Sequence, residues 1–288
     1  MKKFLALMLA LCMVFALAAC GEPAASDPTD APGTEAPTDV TEPADEGGDT
    51  AESDLAYVQD KGTLIVGITE FEPMDYQEEG SDEWIGFDAD LAKAFAESLG
   101  VEAVFQLIDW DNKVFELDGK TIDVVWNGMT LTDEVMSAME CSNAYMNNAQ
   151  VVILPSDKAE SYPDAASMSE LTFAVESGSA GEDMAIENGF TYTPVADQAT
   201  AVLEVSSGTC DAAIIDSLMA AAMVGEGTSY ADLTYTISLN SEEYGVGFRK
   251  GSDLCAALND FFVSAWADGT MQNLADTYGV SAALIAQE

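Results

Sequence analysis

Apolar and polar positions alternate along residues 55–288 in a pattern that predicts strands and helices in turn. Short apolar runs bounded by glycine are typical of buried strands, and apolar positions three or four apart are typical of helices. The first part of this region is predicted to form a strand, a helix, a strand, a short helix and a strand at 62–68, 86–100, 101–107, from Asp111 and at 122–128. This βαβ rhythm favours an open α/β sheet.

The same rhythm restarts after residue 170. The second part is predicted to form a strand into a loop, a helix, a strand, a helix, and a strand into a helix at 171–179, 180–189, 191–195, 197–208 and 210–224. The two parts also echo each other, since "GKTIDVV" at 119–125 resembles "GTCDAAI" at 208–214. We therefore expect two similar α/β lobes.

The first 19 residues have the pattern of a secretory signal peptide. Lys2 and Lys3 precede an apolar run from Phe4 to Ala16, which is too short for a retained membrane helix. The following "LAAC" resembles a bacterial lipobox, which implies cleavage before Cys20 and lipidation of its thiol. The alternative is an ordinary secreted protein with an incidental cysteine. We expect an extracytoplasmic protein that is lipid-anchored to the outer face of the bacterial cell membrane.

Residues 20–54 are predicted to be a disordered linker behind the lipidated cysteine. The stretch 21–54 contains eleven Asp or Glu, five Pro and no Lys or Arg. Such a segment has too little apolar surface to offset its ordering entropy, and its charges keep it extended. A spacer between anchor and domain is the favoured interpretation, and a binding tail for a basic partner is the alternative.

Overall charge and composition exclude several kinds of site. The chain has 52 acidic and 9 basic residues, a formal net charge of −43, which disfavours nucleic acid and anionic lipid surfaces as partners. The absence of histidine excludes a histidine-assisted nucleophile and argues against a zinc site. We expect no metal and no cofactor. Of the cysteines after Cys20, which are Cys141, Cys210 and Cys255, at least one is a free thiol or pairs between chains.

Eight segments in order resemble the bacterial extracellular solute-binding proteins of family 3, the lipid-anchored or periplasmic receptors of polar amino acid ABC importers. They are "GTLIVGI…FEPM", "GFDADLAKAFAESLG", "IDWDNKVFEL", "IDVVWNGMTLT", "VESGSAGED", "CDAAIIDSLMA", "YGVGFRKGSDL" and "ADGTMQNLADTYG". The resemblance covers about residues 62–280. It implies a receptor that delivers a small polar solute, such as an amino acid or an amine-bearing relative, to an ABC permease.

The same resemblance implies a two-lobed periplasmic-binding-protein fold (type II) with a ligand cleft between the lobes. Lobe 1 is expected at 55–152 and 243–288, and lobe 2 at 153–242. Two hinge crossings are expected near Gln150–Val152 and Glu243–Gly245, so that closure on the solute is a hinge motion. We expect a monomer without catalytic turnover.

In lobe 1 the resemblance places Phe71 and Trp110 on the walls of the ligand site. Trp126 is a further wall candidate, and core packing is the alternative for each of these aromatic side chains. Asn127, Gly128 and Thr130 follow a buried strand, where relatives present a backbone carbonyl and a hydroxyl to the ligand. The carboxyl end of a parallel strand is a usual place for such a site.

In lobe 2 the resemblance makes Asp216 the acid that receives the ligand's amino group, although Asp216 also suits a helix N-cap. Glu176 is expected against the ligand side chain. Ser179 lies in "ESGSAGED", whose amides open a helix and suit an anion. Glu182 and Asp183, in the first turn of that helix, are expected to occupy its positive end themselves.

One expected charge is missing. Relatives carry an arginine at the position of Val135 that clamps the ligand carboxylate, and Arg249, the chain's sole arginine, belongs to a segment away from that loop. We therefore expect a net negative site and a solute with positive charge or an amine. Alternative functions on the same scaffold are a ligand-sensing module without transport and a cyclohexadienyl-dehydratase-like enzyme.

Overall fold

The computed structural model describes residues 53–288. The predicted signal peptide 1–19, the lipid site Cys20 and most of the linker 20–54 lie outside the described residues. The prediction that the linker extends to residue 54 is wrong for its last two residues, because Ser53 caps the first helix and Asp54 begins it. Ser53 Oγ accepts a hydrogen bond from the Ala56 amide at 3.0 Å, and Asp54 is buried. The folded region therefore starts slightly earlier than predicted.

The described chain alternates strands with helices. The strands are β1 (Thr63–Ile68), β2 (Tyr76–Gln77), β3 (Trp84–Ile85), β4 (Glu102–Leu107), β5 (Val124–Thr130), β6 (Glu140–Cys141), β7 (Met146–Asn148), β8 (Gln150–Pro155), β9 (Thr172–Glu176), β10 (Thr191–Val195), β11 (Ala212–Asp216), β12 (Leu233–Ser238) and β13 (Glu242–Phe248). The helices are α1 (Asp54–Lys61), α2 (Phe87–Leu99), α3 (Lys113–Asp118), α4 (Asp133–Ala138), α5 (Ala180–Glu187), α6 (Gln198–Ser206), α7 (Ser217–Met223), α8 (Asp253–Ala267) and α9 (Thr270–Thr277). The strands and helices predicted from the two βαβ rhythms are confirmed.

Two separate sheets organise these elements. The first has the order β4-β1-β5-β13-β6, with β7 also paired to β13, and the second has the order β10-β9-β11-β8-β12. In the first sheet β1 runs parallel to β4 and β5, whereas β13 is antiparallel to β5. In the second, β9 runs parallel to β10 and β11, and β8 is antiparallel to β11 and β12. Each sheet therefore has a parallel half whose strand ends point the same way.

Helices cover both sheets and bury their apolar stripes. Helix α2 shows the local logic, because it buries Leu91 and Phe95 one turn apart and ends at Gly100, whose amide bonds back to the Ala96 carbonyl. Helices α2, α8 and α9 pack together on the first sheet, and α5, α6 and α7 pack on the second. None of the described helices is long and apolar enough to cross a membrane.

The chain passes between the sheets twice, at places that lie side by side. Ala149 joins β7 to β8, and residues 239–241 join β12 to β13. The Leu239 amide donates to the Gln150 carbonyl at 2.8 Å, so the two crossings are hydrogen-bonded to each other. All of β8 belongs to the second sheet, so the first crossing precedes the predicted segment Gln150–Val152.

Candidate functional site

A cavity of about 240 Å³ lies between the two sheets. It is bordered by the carboxyl ends of β5, β9 and β11, which is the usual location of ligand sites in α/β sheets. The residues that line it are Trp110, Asp111, Lys113, Val114, Asn127, Gly128, Met129, Thr130, Thr132, Glu134, Val135, Ala138, Gln150, Glu176, Gly178, Ser179, Ala180, Asp183, Gln198 and Asp216. Both lobes contribute, so the cavity depends on the two sheets being held together.

Most of the predicted site residues meet at this cavity. Those that line it are Trp110, Asn127, Gly128, Thr130, Glu176, Ser179 and Asp216. Their contact with a solute stays a prediction.

Two predicted wall residues are corrected, because Phe71 and Trp126 are not among the lining residues. Trp126 is fully buried and packs against Phe95 and Phe262 in the core of the first lobe. Phe71 is buried behind Gly128 and meets Tyr244 edge to face, with ring centroids 6.3 Å apart. Both aromatic side chains support the site from behind and do not form its wall.

The loop at the end of β5 is shaped by local hydrogen bonds. Gly128 has a φ of +55°, and a Cβ there would lie 2.5 Å from Phe71 Cε1, so only glycine fits this place. The Asn127 amide is used inside the lobe, since Nδ2 donates to Asp75 and Oδ1 accepts from the Thr69 amide. Asn127 therefore fixes the loop that follows β1, and its side chain is already engaged.

Asp216 sits at the centre of a buried amide network. Its side chain accepts from Gln150 Nε2 at 2.6 Å and also from the amides of Asn148 and Gln198. Burial, followed by the nearby Glu242 carboxylate, raises the pKa of Asp216 well above its ordinary value. Asp216 stands at the N-cap position of α7, as the alternative expected, but its side chain makes no capping bond to that helix. Sequence reasoning did not predict Gln150 and Gln198, which have no motif of their own.

Glu176 is a buried acid at the end of β9. Its side chain is 2% exposed, and Oε1 has no hydrogen-bond partner among the described residues. Burial raises the pKa of Glu176 to about 8, with a smaller raising effect from Asp197, while Thr69, Lys113 and Gln198 lower it. The buried Oε1 is therefore open to a hydrogen bond from a ligand. Leaving it unpaired costs free energy, which such a bond would recover.

The first turn of α5 is partly closed by its own side chains. Ser179 Oγ accepts from the Glu182 amide at 3.2 Å, and Glu182 Oε2 accepts from the Gly178 amide at 2.6 Å. The expectation that Glu182 occupies this helix end is confirmed. The second expected residue, Asp183, reaches the rim of the cavity.

A buried lysine in the cavity was missed by sequence analysis. Lys113 Nζ donates to the Gly178 carbonyl at 2.8 Å and to the Trp110 carbonyl at 3.2 Å, and it lies 5.0 Å from the centre of the Trp110 ring. Burial lowers the pKa of Lys113, opposed first by Glu176. Its position three residues after Trp110, on the next turn, was the available signal. Among the lining residues it is the single basic side chain.

The position at which an arginine was expected borders the cavity. Val135 lines the cavity from the first half of α4, where the Thr132 hydroxyl caps the Val135 amide at 3.1 Å. Arg249 lies elsewhere, bonded to Asp54 at 3.0 Å and to the carbonyls of Leu117 and Ile122. No guanidinium therefore faces this cavity within the described chain.

The geometry agrees with what comparison with known proteins shows. The family model of bacterial extracellular solute-binding proteins, family 3, matches residues 64–281. The chain belongs to this family. As a family 3 solute-binding protein, it is an extracytoplasmic receptor that delivers a small polar solute to an ABC importer, and its fold is the two-lobed one.

Relatives of this solute-binding protein include receptors for different amino acids. The L-cystine-binding protein TcyJ of Escherichia coli (strain K12) is 29% identical over 229 residues, covering 78% of this chain and 85% of the relative. The arginine-binding extracellular protein ArtP of Bacillus subtilis (strain 168) is 28% identical over 284 residues, covering 95% and 96%.

A solved structure gives the same comparison in three dimensions. It is that of an ancestral amino acid-binding protein, AncCDT-1, described as a precursor of cyclohexadienyl dehydratase. It superposes with a TM-score of 0.71 at 29% identity, over 78% of this chain and 99% of the ancestral one.

Proposed function

We propose that this solute-binding protein captures a small solute that carries a positively charged or amine group, an amino acid or an amine-bearing relative. One observation carries the proposal: five acidic residues and a single lysine line the cavity. Glu176 and Asp216 are buried in it, whereas Asp111, Glu134 and Asp183 are exposed at its rim. A cationic group is attracted by the exposed acids and favours the ionised form of the buried acids, and a second carboxylate on the solute is repelled.

The buried acids supply the contacts for the ammonium group. A carboxylate has about four acceptor positions, and the three amide donors on Asp216 leave room for one more. Glu176 offers its unpaired Oε1 from the neighbouring strand. Trp110 supplies an apolar wall, and Thr130 and Ser179 supply hydroxyls. A cavity of about 240 Å³ suits a solute smaller than a drug-sized ligand.

Capture and release follow from the division into lobes. We assign 53–148 with 242–288 to lobe 1 and 150–238 to lobe 2, a few residues from the expected 55–152 with 243–288 and 153–242; the lobes are joined at Ala149 and at residues 239–241. Opening at these crossings exposes the cavity, and closure buries the solute without chemical turnover. The protein acts as a monomer that presents the closed form to a permease.

A screen of solutes tests the proposal. Thermal shift followed by calorimetry on the protein lacking residues 1–20 compares arginine, lysine, histidine, cystine, glutamine and glutamate. Binding to the folded state raises the melting temperature by mass action. We expect a cationic or amine-rich solute to bind tightest and glutamate weakest. Micromolar or tighter binding of glutamate contradicts the proposal, and recovery of a chemically altered solute contradicts the absence of turnover.

The amino-terminal anchor is tested separately. Full-length protein expressed in a bacterial host is expected to partition with membranes and to carry lipid at Cys20, detectable by mass spectrometry of the processed chain. The Cys20→Ala variant is expected to lose that lipid. Retention of residues 1–19, or release of the processed wild type into the medium, overturns the lipid-anchor assignment.

A further inference from the structure

Lys113 is a buried cation without a carboxylate partner among the described residues. It is 8% exposed, and it makes no ion pair with any described residue. Its two hydrogen bonds go to backbone carbonyls, those of Trp110 and Gly178. Burying an ammonium group is costly unless an opposite charge compensates it. The cavity beside it is where a compensating anion has access.

The ammonium group also has a donor to spare. A lysine has three N–H donors, and two of them are used by the carbonyls. The Trp110 carbonyl lies on the first sheet's side of the cavity, before α3, and the Gly178 carbonyl lies on the second sheet's side, after β9. The two sides meet closely here, because a Cβ on Gly178 would lie 2.7 Å from Asp111 Cα. Lys113 is therefore held in place across the cavity by both lobes.

The cavity contains charged groups of both signs, because acids surround Lys113. Glu176 has the largest electrostatic effect on Lys113 among these acids, followed by Asp111, Glu134 and Asp183. Glu176 forms no ion pair with the lysine, and its Oε1 is unpartnered. A buried cation and a buried acid that are not joined to each other are both satisfied by a ligand that carries one group of each sign.

We propose that Lys113 binds the carboxylate of the solute, in the role left open by Val135, so that the solute is a zwitterionic amino acid and not a simple amine. This inference rests on the proposed function and narrows its solute class. Arg249 is excluded from the role by its position, because its guanidinium is bonded to Asp54 and to two carbonyls away from the cavity. Lys113 is the basic side chain that the lining offers.

Pairs of solutes that differ by the carboxylate test the inference. Calorimetry measures arginine against agmatine, lysine against cadaverine, histidine against histamine, and cystine against cystamine. In the wild type we expect the amino acid of the best-bound pair to bind roughly tenfold or more tighter than its amine. In Lys113→Met, which keeps most of the side-chain length and removes the charge, the two members of that pair are expected to bind within roughly threefold of each other.

The ratio within a pair separates the possible roles. If Lys113→Met weakens both members equally, Lys113 serves lobe contact through Gly178 and the inference fails. If the wild type shows no preference for the carboxylate, the inference also fails, while the proposed function stands. If the wild type binds no solute of the panel, both are overturned.

A matched control excludes a general charge effect. Lys158 is exposed and lies away from the cavity, so Lys158→Met is expected to keep the wild-type ratio. Lys113→Arg, which restores a cation, is expected to recover part of the ratio lost in Lys113→Met. A ratio that falls equally in Lys158→Met contradicts binding of the carboxylate at Lys113.

Discussion

Two buried basic side chains of this protein have opposite surroundings. Arg249 bonds to Asp54 at 3.0 Å and to two carbonyls, and Asp123 lies 3.8 Å away and is itself paired with Lys61. Lys113 is equally buried but has carbonyls and the Trp110 ring in place of a carboxylate. The first cation lies in an ion-pair network, which we call the closed network because its charges are paired, although Arg249 Nη2 and Asp123 Oδ1 have no hydrogen-bond partner among the described residues. The second cation borders a cavity.

The difference separates stability from binding. A buried charge with opposite charges beside it holds segments together, and here Arg249 ties α1 to the end of α3 and to the residue Ile122 before β5. A buried charge without an opposite charge costs stability that a ligand recovers. The same distinction applies to acids, because Asp123 is ion-paired with Lys61 and lies 3.8 Å from Arg249, whereas Glu176 forms no ion pair with any described residue.

The largest effect is expected where the closed network is broken. Arg249→Met leaves Asp54 and two buried carbonyls without their donor, and should lower the free energy of unfolding by about 3–5 kcal/mol. Denaturant unfolding monitored by circular dichroism measures this. The carboxylate preference in binding is expected to persist in the fraction that folds. A loss below about 1 kcal/mol would show that water replaces the guanidinium.

Much of this arrangement was readable in the sequence, because the two βαβ rhythms locate the strand ends that border the cavity. The direction of Trp126 was not readable. Strand β5 is buried along nearly its whole length, so its residues show no alternation between apolar and polar faces. Lys113 was also missed, since its spacing from Trp110 indicates only that the two residues are neighbours, and its bond to Gly178, 65 residues away, has no local pattern.

The second effect concerns the open acid. Glu176→Gln keeps the shape and removes the charge, and should weaken binding of a cationic solute by about 1.5–3 kcal/mol. The free energy of unfolding at pH 8 should stay equal or rise, because the substituted glutamine carries no charge whereas the buried Glu176 is partly ionised at that pH. Calorimetry and denaturant unfolding test both parts. Asp183→Asn, at the exposed rim, is the matched control and should change affinity less.

The third effect is a pH dependence of binding with a defined sign. The pKa of Glu176 is raised by burial to about 8, so this side chain is largely protonated at neutral pH in the solute-free protein. A cationic group favours the ionised form, and affinity for arginine or lysine should therefore rise by at most about tenfold per pH unit up to pH 8. Calorimetry in two buffers of different ionisation enthalpy should show proton release at pH 7. No release would mean that Glu176 stays neutral when the solute is bound.

Unfolding of the free protein gives an independent check on the same acid. Because the pKa of Glu176 is raised, the folded state keeps a proton on this side chain at pH values above 4.5, the ordinary pKa of glutamate, at which the unfolded state has lost it. The contribution to stability is fully present below pH 4.5 and is lost as pH rises to about 8. Glu176→Gln should flatten this slope in part, because Asp216, whose pKa is raised by burial and by Glu242, adds a slope of the same sign. An unchanged slope would mean that Glu176 is already ionised in the folded, solute-free protein.

The smallest effect is expected from supplying the cation that the loop lacks. Val135 lines the cavity from α4, beside the exposed Glu134, so an arginine there has an acid neighbour as well as access to the solute. Val135→Arg should strengthen amino acid binding by about 0.5–1 kcal/mol, since a partly exposed cation is screened and Lys113 already serves the carboxylate. The gain should be larger in Lys113→Met, where the new guanidinium is the sole cation that the described residues offer to the cavity. Calorimetry of the two single variants and the double variant with arginine and agmatine measures this coupling. Equal gains in both backgrounds would mean that positions 135 and 113 contact different groups of the solute. The carboxylate would then have a binding point in the cleft other than Lys113, and the incomplete pairing of Lys113 would no longer identify the carboxylate site.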